Sequence, residues 1–453
     1  MNEGNEGANG IKGKRSFSPA QVLVFGFLAL TIIGTILLSL PIATVKQGSL
    51  PVIDALFTAT SAVCVTGLVV VDTGTTFTIF GQIVIMLLIQ AGGLGFMTMA
   101  TLIFIILGKR ISLKERLVIQ QALNQTDLSG TVRIVKYVLI LTVVVQSIGT
   151  LILGSRFAVE YGFSRGFYYG LFHTISAFNN AGFDLIGNFR SLTPFADDVV
   201  ILTVIPLLFI VGGLGFTVVI DLFYNRNWLQ FSFHTKAALT ITGGLLILGF
   251  IGIIFMEWNN PETLKGLSFS EKILTSFFTG ATPRTAGFNV LPTDELLNQT
   301  TLFVMVLMFI GASPASTGGG IKTTTFGVLF FTVIAVLQGK KDVSFFERRV
   351  PFELITRGVA IIFISLLAVF IVALILLMSE KAEFIDVLFE TISAFGTVGL
   401  SRGLTPDLTN VGKILITITM FIGRLGPLTL AFALARDRED PRIRYPEEKI
   451  LVG

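Results

Sequence analysis

The sequence is poor in charge. Asp, Glu, Lys and Arg together make up 14% of its 453 residues, whereas a soluble domain carries roughly 25%. Hydrophobic residues make up 52% of the chain, and its mean hydropathy is +0.81. A chain with so few charges cannot cover a water-exposed surface with them. The shortage of charge therefore excludes an ordinary soluble protein and indicates one that lies in a membrane.

Cysteine and histidine are also scarce, which removes two kinds of site. The single cysteine, Cys64, cannot form a disulfide within one chain, so no disulfide framework is expected. The two histidines, His173 and His234, are too few for a His-rich metal site. Glycine clusters match a dinucleotide-binding fingerprint only in part and lie within apolar stretches. We therefore expect this chain to bind no nucleotide itself and to have no nucleic-acid partner.

Eight apolar stretches are long enough to cross a membrane, since a spanning helix needs roughly 20 such residues. The first stretch is too long for the apolar region of a signal peptide and lacks a clear cleavage site, so we expect it to be a retained helix. The pattern predicts an all-α polytopic membrane protein. The stretches cover residues 20–40, 77–107, 134–153, 199–223, 237–256, 302–337, 359–378 and 414–434.

Lysine and arginine gather in alternate connections between these stretches. They are concentrated in the N-terminal tail, in residues 109–136, in residues 340–357 and in the C-terminal tail. Because basic connections stay in the cytoplasm, we predict a multi-pass plasma-membrane protein with both termini cytoplasmic. The other connections are richer in Asp and Glu, which would concentrate cations at the outer face.

Four twelve-residue stretches align without gaps. They read FTATSAVCVTGL from residue 57, FHTISAFNNAGF from 172, FFTGATPRTAGF from 277 and FETISAFGTVGL from 389. Each is too short to cross a membrane, so we expect a helix and loop that enter and return on one side. Four such loops around one axis would form a pore, and ordinary surface turns are the alternative. Each stretch has glycine as its eleventh residue, namely Gly67, Gly182, Gly287 and Gly399.

A second glycine motif follows the first in every repeat. It reads AGGLGF from residue 91, VGGLGF from 211, GASPASTGGG from 311 and GRLGPL from 423. Two motifs in constant order predict four tandem helix–pore loop–helix repeats, with eight transmembrane helices and four re-entrant pore helices around one pore. The predicted units are a flexible cytoplasmic tail (1–17), repeat 1 (18–108), repeat 2 with a basic loop before it (109–224), repeat 3 (225–339), repeat 4 (340–435) and a cytoplasmic tail (436–453).

Small or medium-sized residues precede each shared glycine, in the fragments CVTG, NNAG, RTAG and GTVG. Rings of backbone carbonyls can replace the hydration shell of potassium, as in the TVGYG loops of potassium channels. Glycine permits the unusual backbone angles that such rings require. Thr397, Val398 and Gly399 repeat the first three letters of that signature. The pattern favours a potassium pore.

On these motifs, the chain resembles the superfamily of Trk, Ktr and HKT potassium transporters, and within it the membrane subunits of bacterial Ktr systems, over residues 17–440. The resemblance implies potassium uptake rather than enzymatic activity, and Gly67 in the first repeat implies potassium rather than sodium. The Tyr of TVGYG is replaced by Leu or Phe in all four loops, which predicts looser selectivity than in a channel. The carbonyls implied as potassium ligands belong to Val65, Thr66, Gly67, Asn180, Ala181, Gly182, Thr285, Ala286, Gly287, Thr397, Val398 and Gly399.

One apolar stretch contains a run of helix-breaking residues, which in a transport protein marks the pathway. The resemblance implies that residues 311–320 form an intramembrane gate beneath the filter and that Arg424 faces it. A simple kink and an arginine that reaches the interface are the alternatives. Arg284, beside the third filter loop, is either a tether for that loop or an outer barrier, and both its role and that of Lys322 stay open. The predicted gate comprises Gly311, Ala312, Ser313, Pro314, Ala315, Ser316, Thr317, Gly318, Gly319, Gly320 and Arg424.

The resemblance also implies partners. We expect a homodimer in a bacterial plasma membrane, surrounded by membrane lipid, on a cytoplasmic ring of KtrA-like regulatory subunits that bind ATP or ADP. The basic residues 109–136 and the tail after Arg436 are the expected docking surfaces, and sodium is an expected activator.

Two other functions stay open. A proton- or sodium-coupled symporter needs acids within the spans, which are scarce. A remote alternative is an intramembrane enzyme built on His173 and Asp184, but the other repeats offer no equivalent group.

Overall fold

The computed structural model describes residues 17–46, 48–95 and 131–434, together with the single residues 98, 117, 120, 446, 448 and 451. Most of the two predicted tails and of the basic connection 109–136 lies outside these residues, as does most of the apolar stretch beyond residue 95. Within the described residues, the chain folds into sixteen α-helices, four 3-10 turns and one hairpin of the strands Ser344–Phe345 and Arg348–Arg349. This confirms the predicted all-α class.

The helices recur in a fixed order of a long apolar helix, a short helix, a loop and further apolar helix. The first group is α1 (Pro19–Leu38), α2 (Val52–Val63), α3 (Thr73–Thr76) and α4 (Ile79–Leu94), and the second is α5 (Thr131–Tyr161), α6 (Phe163–Phe178), α7 (Val199–Gly213) and α8 (Phe216–Tyr224). The third is α9 (Phe233–Glu257), α10 (Phe269–Ala281), α11 (Asn298–Phe309) and α12 (Thr323–Leu337). The fourth is α13 (Phe352–Ser379), α14 (Phe384–Gly396), α15 (Asn410–Leu425) and α16 (Pro427–Leu434). The 3-10 turns are Pro41–Ala43, Thr193–Phe195, Trp228–Gln230 and Thr405–Asp407.

Four of these helices, α1, α5, α9 and α13, are each long and apolar enough to cross a membrane. The pairs α7–α8 and α15–α16 pass the same test together, but they bend by 97° and 92° at the break between their members. The sequence predicts a broken span only in the third repeat, at residues 311–320. The bends coincide with Gly215 and Gly426, whose φ angles of 95° and 82° lie outside the helical range. The count of eight crossings stays a prediction.

Glycine lets the short helices pack closely on the long ones. Gly154 in α5 lies against Gly170 in α6, and Gly249 in α9 lies against Gly280 in α10. A Cβ atom added at either contact would overlap the backbone of the neighbouring helix. In lipid, where apolar side chains gain little by leaving their solvent, such close backbone contacts hold helices together. In all four short helices, α2, α6, α10 and α14, most residues of the second half are buried, so these ends lie at the centre of the bundle.

Candidate functional site

The chain leaves each short helix through a loop with the same backbone. The first predicted filter residue has a left-handed φ in all four loops, and the glycine two positions later does too. Alternating left- and right-handed residues direct successive carbonyls to one side of the chain, as a ring of ligands requires. The φ angles are 51° and 88° for Val65 and Gly67, 58° and 69° for Asn180 and Gly182, 67° and 78° for Thr285 and Gly287, and 50° and 94° for Thr397 and Gly399.

The first position of these loops is strained. Val65, Thr285 and Thr397 are β-branched, and a left-handed φ is a genuine outlier for such residues. Strain of this kind costs about 1–3 kcal/mol per residue and persists only where the surrounding structure enforces it. Its recurrence at equivalent positions indicates a functional backbone. The sequence pattern indicated the glycines, but it gave no signal that the first residue of each loop is left-handed as well.

The residue between these two is buried and fixes the loop to its helix. In each repeat its N–H donates to a carbonyl near the end of the short helix. The bonds run from Thr66 N to Ser61 O (2.8 Å), from Ala181 N to Ser176 O (2.8 Å), from Ala286 N to Thr282 O (3.0 Å) and from Val398 N to Ser393 O (2.9 Å). The middle residue therefore orients each loop relative to the helix that precedes it.

The four glycines form a closed ring. A Cβ added to any one of them would come within 3.0 Å of the carbonyl oxygen that precedes the glycine of the next repeat. The fourth contact returns to the first repeat, so the four loops surround one axis. In repeat order, the pairs are Gly67 with Ala181 O, Gly182 with Ala286 O, Gly287 with Val398 O, and Gly399 with Thr66 O. The structure thus brings together all four predicted loops.

One cavity of about 340 Å³, called the vestibule below, adjoins all four glycines. Its lining also includes the carboxylates of Asp72, Asp184 and Asp294 and one cation, Arg190. Asp72 is held in place because the N–H groups of Thr75 and Phe189 each donate to its carboxylate at 2.8 Å. An excess of negative charge in a concave site concentrates cations next to the glycines.

The broken span of the third repeat forms an ordered hairpin, the central loop, over residues 310–322. Its two ends are joined because Gly311 N donates to Ile321 O at 2.8 Å. Its tip is attached to the break between α7 and α8, where Phe216 N donates to Ala315 O at 2.8 Å. A simple helix kink would leave α11 and α12 continuous. The structure instead separates them by a loop with its own hydrogen bonds, and the role of this loop as a gate stays a prediction.

The central loop contacts the glycine loops at the end away from the vestibule. Its Gly319 N donates to Thr397 Oγ1 at 3.0 Å, and its Thr317 Oγ1 donates to Asn180 Oδ1 at 2.7 Å. A Cβ on Gly318 would overlap Thr285 Oγ1. The first filter residues of three loops, Asn180, Thr285 and Thr397, therefore contact this segment directly. The central loop lies between the filter loops and the second cavity, which Ala315, Ser316 and Gly318 of this loop line.

Arg424 joins the central loop to the first repeat. Its guanidinium donates to Thr317 O in the loop and to Gly92 O and Gly93 O at the end of α4, the last at 3.2 Å. It lines a second cavity of about 380 Å³, the basal cavity, together with Lys322 and Arg357. No Asp or Glu is among the described residues that line this cavity. Arg424 is thus a bridge between elements rather than a side chain that reaches an interface.

Arg284 and Lys322, whose roles the sequence left open, both hold the central loop. Arg284 is buried, and its Nη2 donates to Gly311 O at 2.7 Å. Lys322 Nζ donates to Gly318 O at 2.7 Å. Arg284 does not line the vestibule, so the structure favours a tether over an outer barrier. Together with Arg424, three cations donate to the backbone of one loop.

The second glycine motif has a packing role that sequence reasoning did not identify. A Cβ on Gly92, Gly212 or Gly423 would overlap a carbonyl oxygen at the end of the short helix in the same repeat. These carbonyls belong to Val63, Phe178 and Phe395, which are equivalent positions in three repeats. Only glycine allows the second helix to approach so closely. The two motifs recur together because one packs directly beneath the other.

The grouping imagined for an enzyme is not assembled. His173 Nδ1 lies 2.7 Å from Tyr169 O, and Leu185 N donates to His173 Nε2 at 3.4 Å. The Asp184 carboxylate accepts a hydrogen bond from Ile186 N at 2.9 Å and forms none with the histidine. Both ring nitrogens of His173 thus face backbone groups, which fits a structural role behind the second loop.

Comparison with known proteins decides the family. The sequence profile of TrkH, described as a cation transport protein, matches residues 14–443 of this chain. The chain belongs to the TrkH family. This confirms the resemblance inferred from the motifs, and with it a multi-pass membrane protein whose relatives are transporters.

Three relatives of this TrkH-family chain carry informative names. It is 49% identical to the Ktr system potassium uptake protein B of Bacillus subtilis, over 96% of this chain and 97% of the relative. It is 42% identical to the protein of the same name from Vibrio alginolyticus, over 98% and 97%. It is 40% identical to the potassium/sodium uptake protein NtpJ of Enterococcus hirae, over 97% and 98%.

The solved structure of the potassium transporter TrkH from Vibrio parahaemolyticus matches the fold with a TM-score of 0.72. The match covers 94% of this chain and 86% of the other, at 17% sequence identity. At this identity the likeness shows that the TrkH-family architecture is shared, and no more.

Proposed function

We propose that this chain is the pore-forming subunit of a bacterial potassium uptake system and that potassium passes through the four glycine loops. The closed ring of contacts from Gly67 through Gly182 and Gly287 to Gly399 carries the proposal. A potassium ion gives up its hydration shell only where several oxygen ligands replace it at once. Four loops with one backbone, arranged around one axis, offer such ligands. The names of the relatives support potassium as the ion.

The selectivity filter in this proposal consists of the carbonyls of the twelve predicted residues. Each loop supplies three residues that end in glycine, and Leu or Phe follows where a channel has Tyr. The row of ligands is therefore shorter than in TVGYG, which favours selectivity below that of a channel. Glycine at position 67 favours potassium over sodium.

The central loop is the gate in this proposal. It contacts three filter loops directly, and Arg284, Lys322 and Arg424 donate to its backbone. Potassium can leave the filter only if this loop moves, because it lies between the ring and the basal cavity. Its many glycines lower the cost of such a movement since they tolerate several backbone conformations.

Orientation and partners complete the proposal. The acidic vestibule faces outward, and the basal cavity, with its three cations, faces the cytoplasm together with both termini. We propose a homodimer on a cytoplasmic ring of KtrA-like subunits that bind ATP or ADP; the name of the relative, protein B of a Ktr system, supports a partner protein and no more. Sodium stimulates uptake in this proposal, and one relative is named a potassium/sodium uptake protein.

Radioactive rubidium uptake into proteoliposomes tests the proposal. We expect the wild-type chain to accumulate rubidium down a potassium gradient, with block by excess potassium but not by excess sodium. The substitution Gly399→Ser should remove most of this uptake and weaken any discrimination that remains, because it disturbs the ring. The regulatory subunit is added in a parallel sample, so that a pore that is merely shut is recognised. No rubidium flux with that subunit present would refute a potassium pore.

The same assay separates conduction from coupled symport. A proton- or sodium-coupled symporter should stop when neither gradient is imposed, whereas a pore should not. We propose passive conduction, and this comparison tests it.

External pH should alter the affinity of the vestibule. Burial, assisted by the nearby Asp72, raises the pKa of Asp184 to about 6. Asp184 is therefore charged at neutral pH and protonated below its pKa, which removes one negative charge beside the filter. We expect the KM for rubidium to be roughly 2- to 3-fold higher at about pH 5 than at about pH 7.5.

The variant Asp184→Asn provides the control for this pH effect. Its KM should already be raised at neutral pH and should change little on acidification. If it retained the full pH dependence of the wild type, the titrating group would lie elsewhere. The measurement is initial rubidium uptake at several concentrations and two external pH values.

A further inference from the structure

A carboxyl group is buried behind the fourth filter loop. Glu390 lies in α14, nine residues before Gly399, and is fully inaccessible to solvent. Ser401 Oγ donates to Glu390 Oε2 at 2.9 Å, and Thr405 Oγ1 donates to Glu390 Oε1. Ser401 Oγ also lies 3.1 Å from Thr405 Oγ1 and accepts a hydrogen bond from Gly403 N at 3.1 Å. One side chain thus gathers the whole segment that follows the filter glycine.

This segment forms one wall of the vestibule. Ser401, Gly403 and Thr405 all line the vestibule next to Gly399. A hydroxyl network that fixes them also fixes the chain that leaves the fourth filter loop. The position of the Gly399 carbonyl therefore depends on bonds made by Glu390.

The hydrogen bonds from Ser401 and Thr405 to Glu390, called the clamp below, have no equivalent in the other repeats. The equivalent residues are Thr58, His173 and Phe278. Thr58 Oγ1 donates only within its own helix, to Asp54 O, and Phe278 has no polar group. His173 makes one contact with the segment after its filter loop, at 3.4 Å to Leu185 N. Two bonds from one buried group to the post-filter segment occur only in repeat 4 among the four compared positions.

The burial of Glu390 is not explained by an ion pair. In the described part of the chain, its neighbour Asp386 pairs with Arg402 at 2.8 Å, and no cation contacts Glu390. A buried carboxyl group without a counter-ion is unfavourable in a membrane protein and marks a functional position by default. A buried carboxylate whose side-chain donors are only the hydroxyls of Ser401 and Thr405 is suited to holding these two residues in place.

We propose that Glu390 is a positioning residue for ion specificity. It clamps residues 400–405 to α14 and thereby holds the fourth filter loop at the radius that suits potassium. This inference rests on the proposed potassium pore and adds that the four loops contribute unequally to selectivity. Loosening the clamp lets the fourth loop close around a smaller ion.

The test compares rubidium and sodium uptake by Glu390→Gln and Thr405→Val in proteoliposomes. The glutamine keeps the size of the side chain but loses one acceptor oxygen, and the valine keeps the shape of threonine but loses the donor. We expect the rubidium-to-sodium ratio to fall roughly 5-fold or more in each variant. The ratio in the double variant should be little lower than in either single variant, because both substitutions break the same hydrogen bond. A merely structural role would lower the uptake of both ions together and leave their ratio unchanged.

Glu257→Gln is the matched control. Glu257 is also fully buried and accepts bonds from Asn260 Nδ2 and Thr263 Oγ1, but it does not line the vestibule. Its substitution should leave the ion ratio unchanged. An equal loss of selectivity in this control, or an unchanged ratio in both clamp variants while the wild type is selective, would overturn the inference. Absence of wild-type rubidium uptake with the regulatory subunit present would instead refute the pore.

Should Glu390→Gln fail to fold, Thr405→Val and Ser401→Ala still decide the question. Both hydroxyls lie at the vestibule wall, so their loss leaves the packing of α14 intact. A normal ion ratio in both would contradict the clamp, and a reduced ratio in both would support it.

Discussion

Substitution of Gly287 by alanine is expected to reduce rubidium uptake to below about 1% of wild type, because the four-loop ring cannot accept a side chain. Gly287 has a φ of 78°, which disfavours any residue with a Cβ. The added methyl group would also overlap Val398 O and lie 3.1 Å from Gly182 Cα and 3.3 Å from Gly399 Cα. One methyl group would therefore push on both neighbouring loops at once.

Gly244→Ala is the control for this experiment. Gly244 lies in α9, has a helical φ, and a Cβ there would meet no atom within 4 Å. Alanine should be accepted and favoured slightly by its higher helix propensity. Both variants are first shown to be folded by size-exclusion chromatography in detergent. Wild-type uptake and selectivity in a folded Gly287→Ala protein would contradict the filter assignment.

The repeats and the filter glycines could be predicted because a position with a left-handed φ or a very close backbone contact favours glycine, which is visible in the sequence. Gly67, Gly182, Gly287 and Gly399 each occupy a conformation and a contact that other residues disfavour. The broken span was predictable for a similar reason, since its proline breaks a helix and its glycines weaken one. These features are local, and each can be recognised within the sequence of a single repeat.

Other features of the site depend on contacts between repeats and left no local signal. The left-handed φ of Val65 and Thr285 contradicts the preference of both residues. The bond from Thr317 to Asn180 joins residues that are far apart in the chain. Glu390 could not be recognised from the aligned motifs, because the four repeats have different residues at that position.

The bends at Gly215 and Gly426 show how the same residue type can be ambiguous. Hydropathy does not distinguish a continuous span from two helices at nearly a right angle, because both are apolar throughout. The glycine in each bend could equally have served close packing, as Gly212 and Gly423 do a few residues earlier. Only the three-dimensional structure separates the two roles.

Removal of the Arg424 guanidinium, by the substitution Arg424→Gln, should raise rubidium uptake in the absence of the regulatory subunit. Arg424 donates to Thr317 O in the central loop and is held from behind by its bonds to Gly92 O and Gly93 O. A hydrogen bond from a charged group contributes about 1.5–3 kcal/mol, so its loss should shift the gate toward the open state by roughly 10- to 100-fold. Arg424→Lys should have a smaller effect, because lysine keeps the positive charge and can donate to one of the two elements, although it cannot bridge both with one planar group.

Arg357→Gln distinguishes two roles for Arg424: a latch, which holds the central loop through its hydrogen bonds, and a positive charge that simply repels potassium. Arg357 lines the same basal cavity, yet within the described residues it forms no hydrogen bond to the central loop. If Arg424 acts as a latch, Arg357→Gln should leave basal uptake near the wild-type value. An equal rise in both variants would show instead that positive charge in the basal cavity repels potassium, whatever contacts the charge makes. Because the latch is local, only its loss should make flux independent of the regulatory subunit.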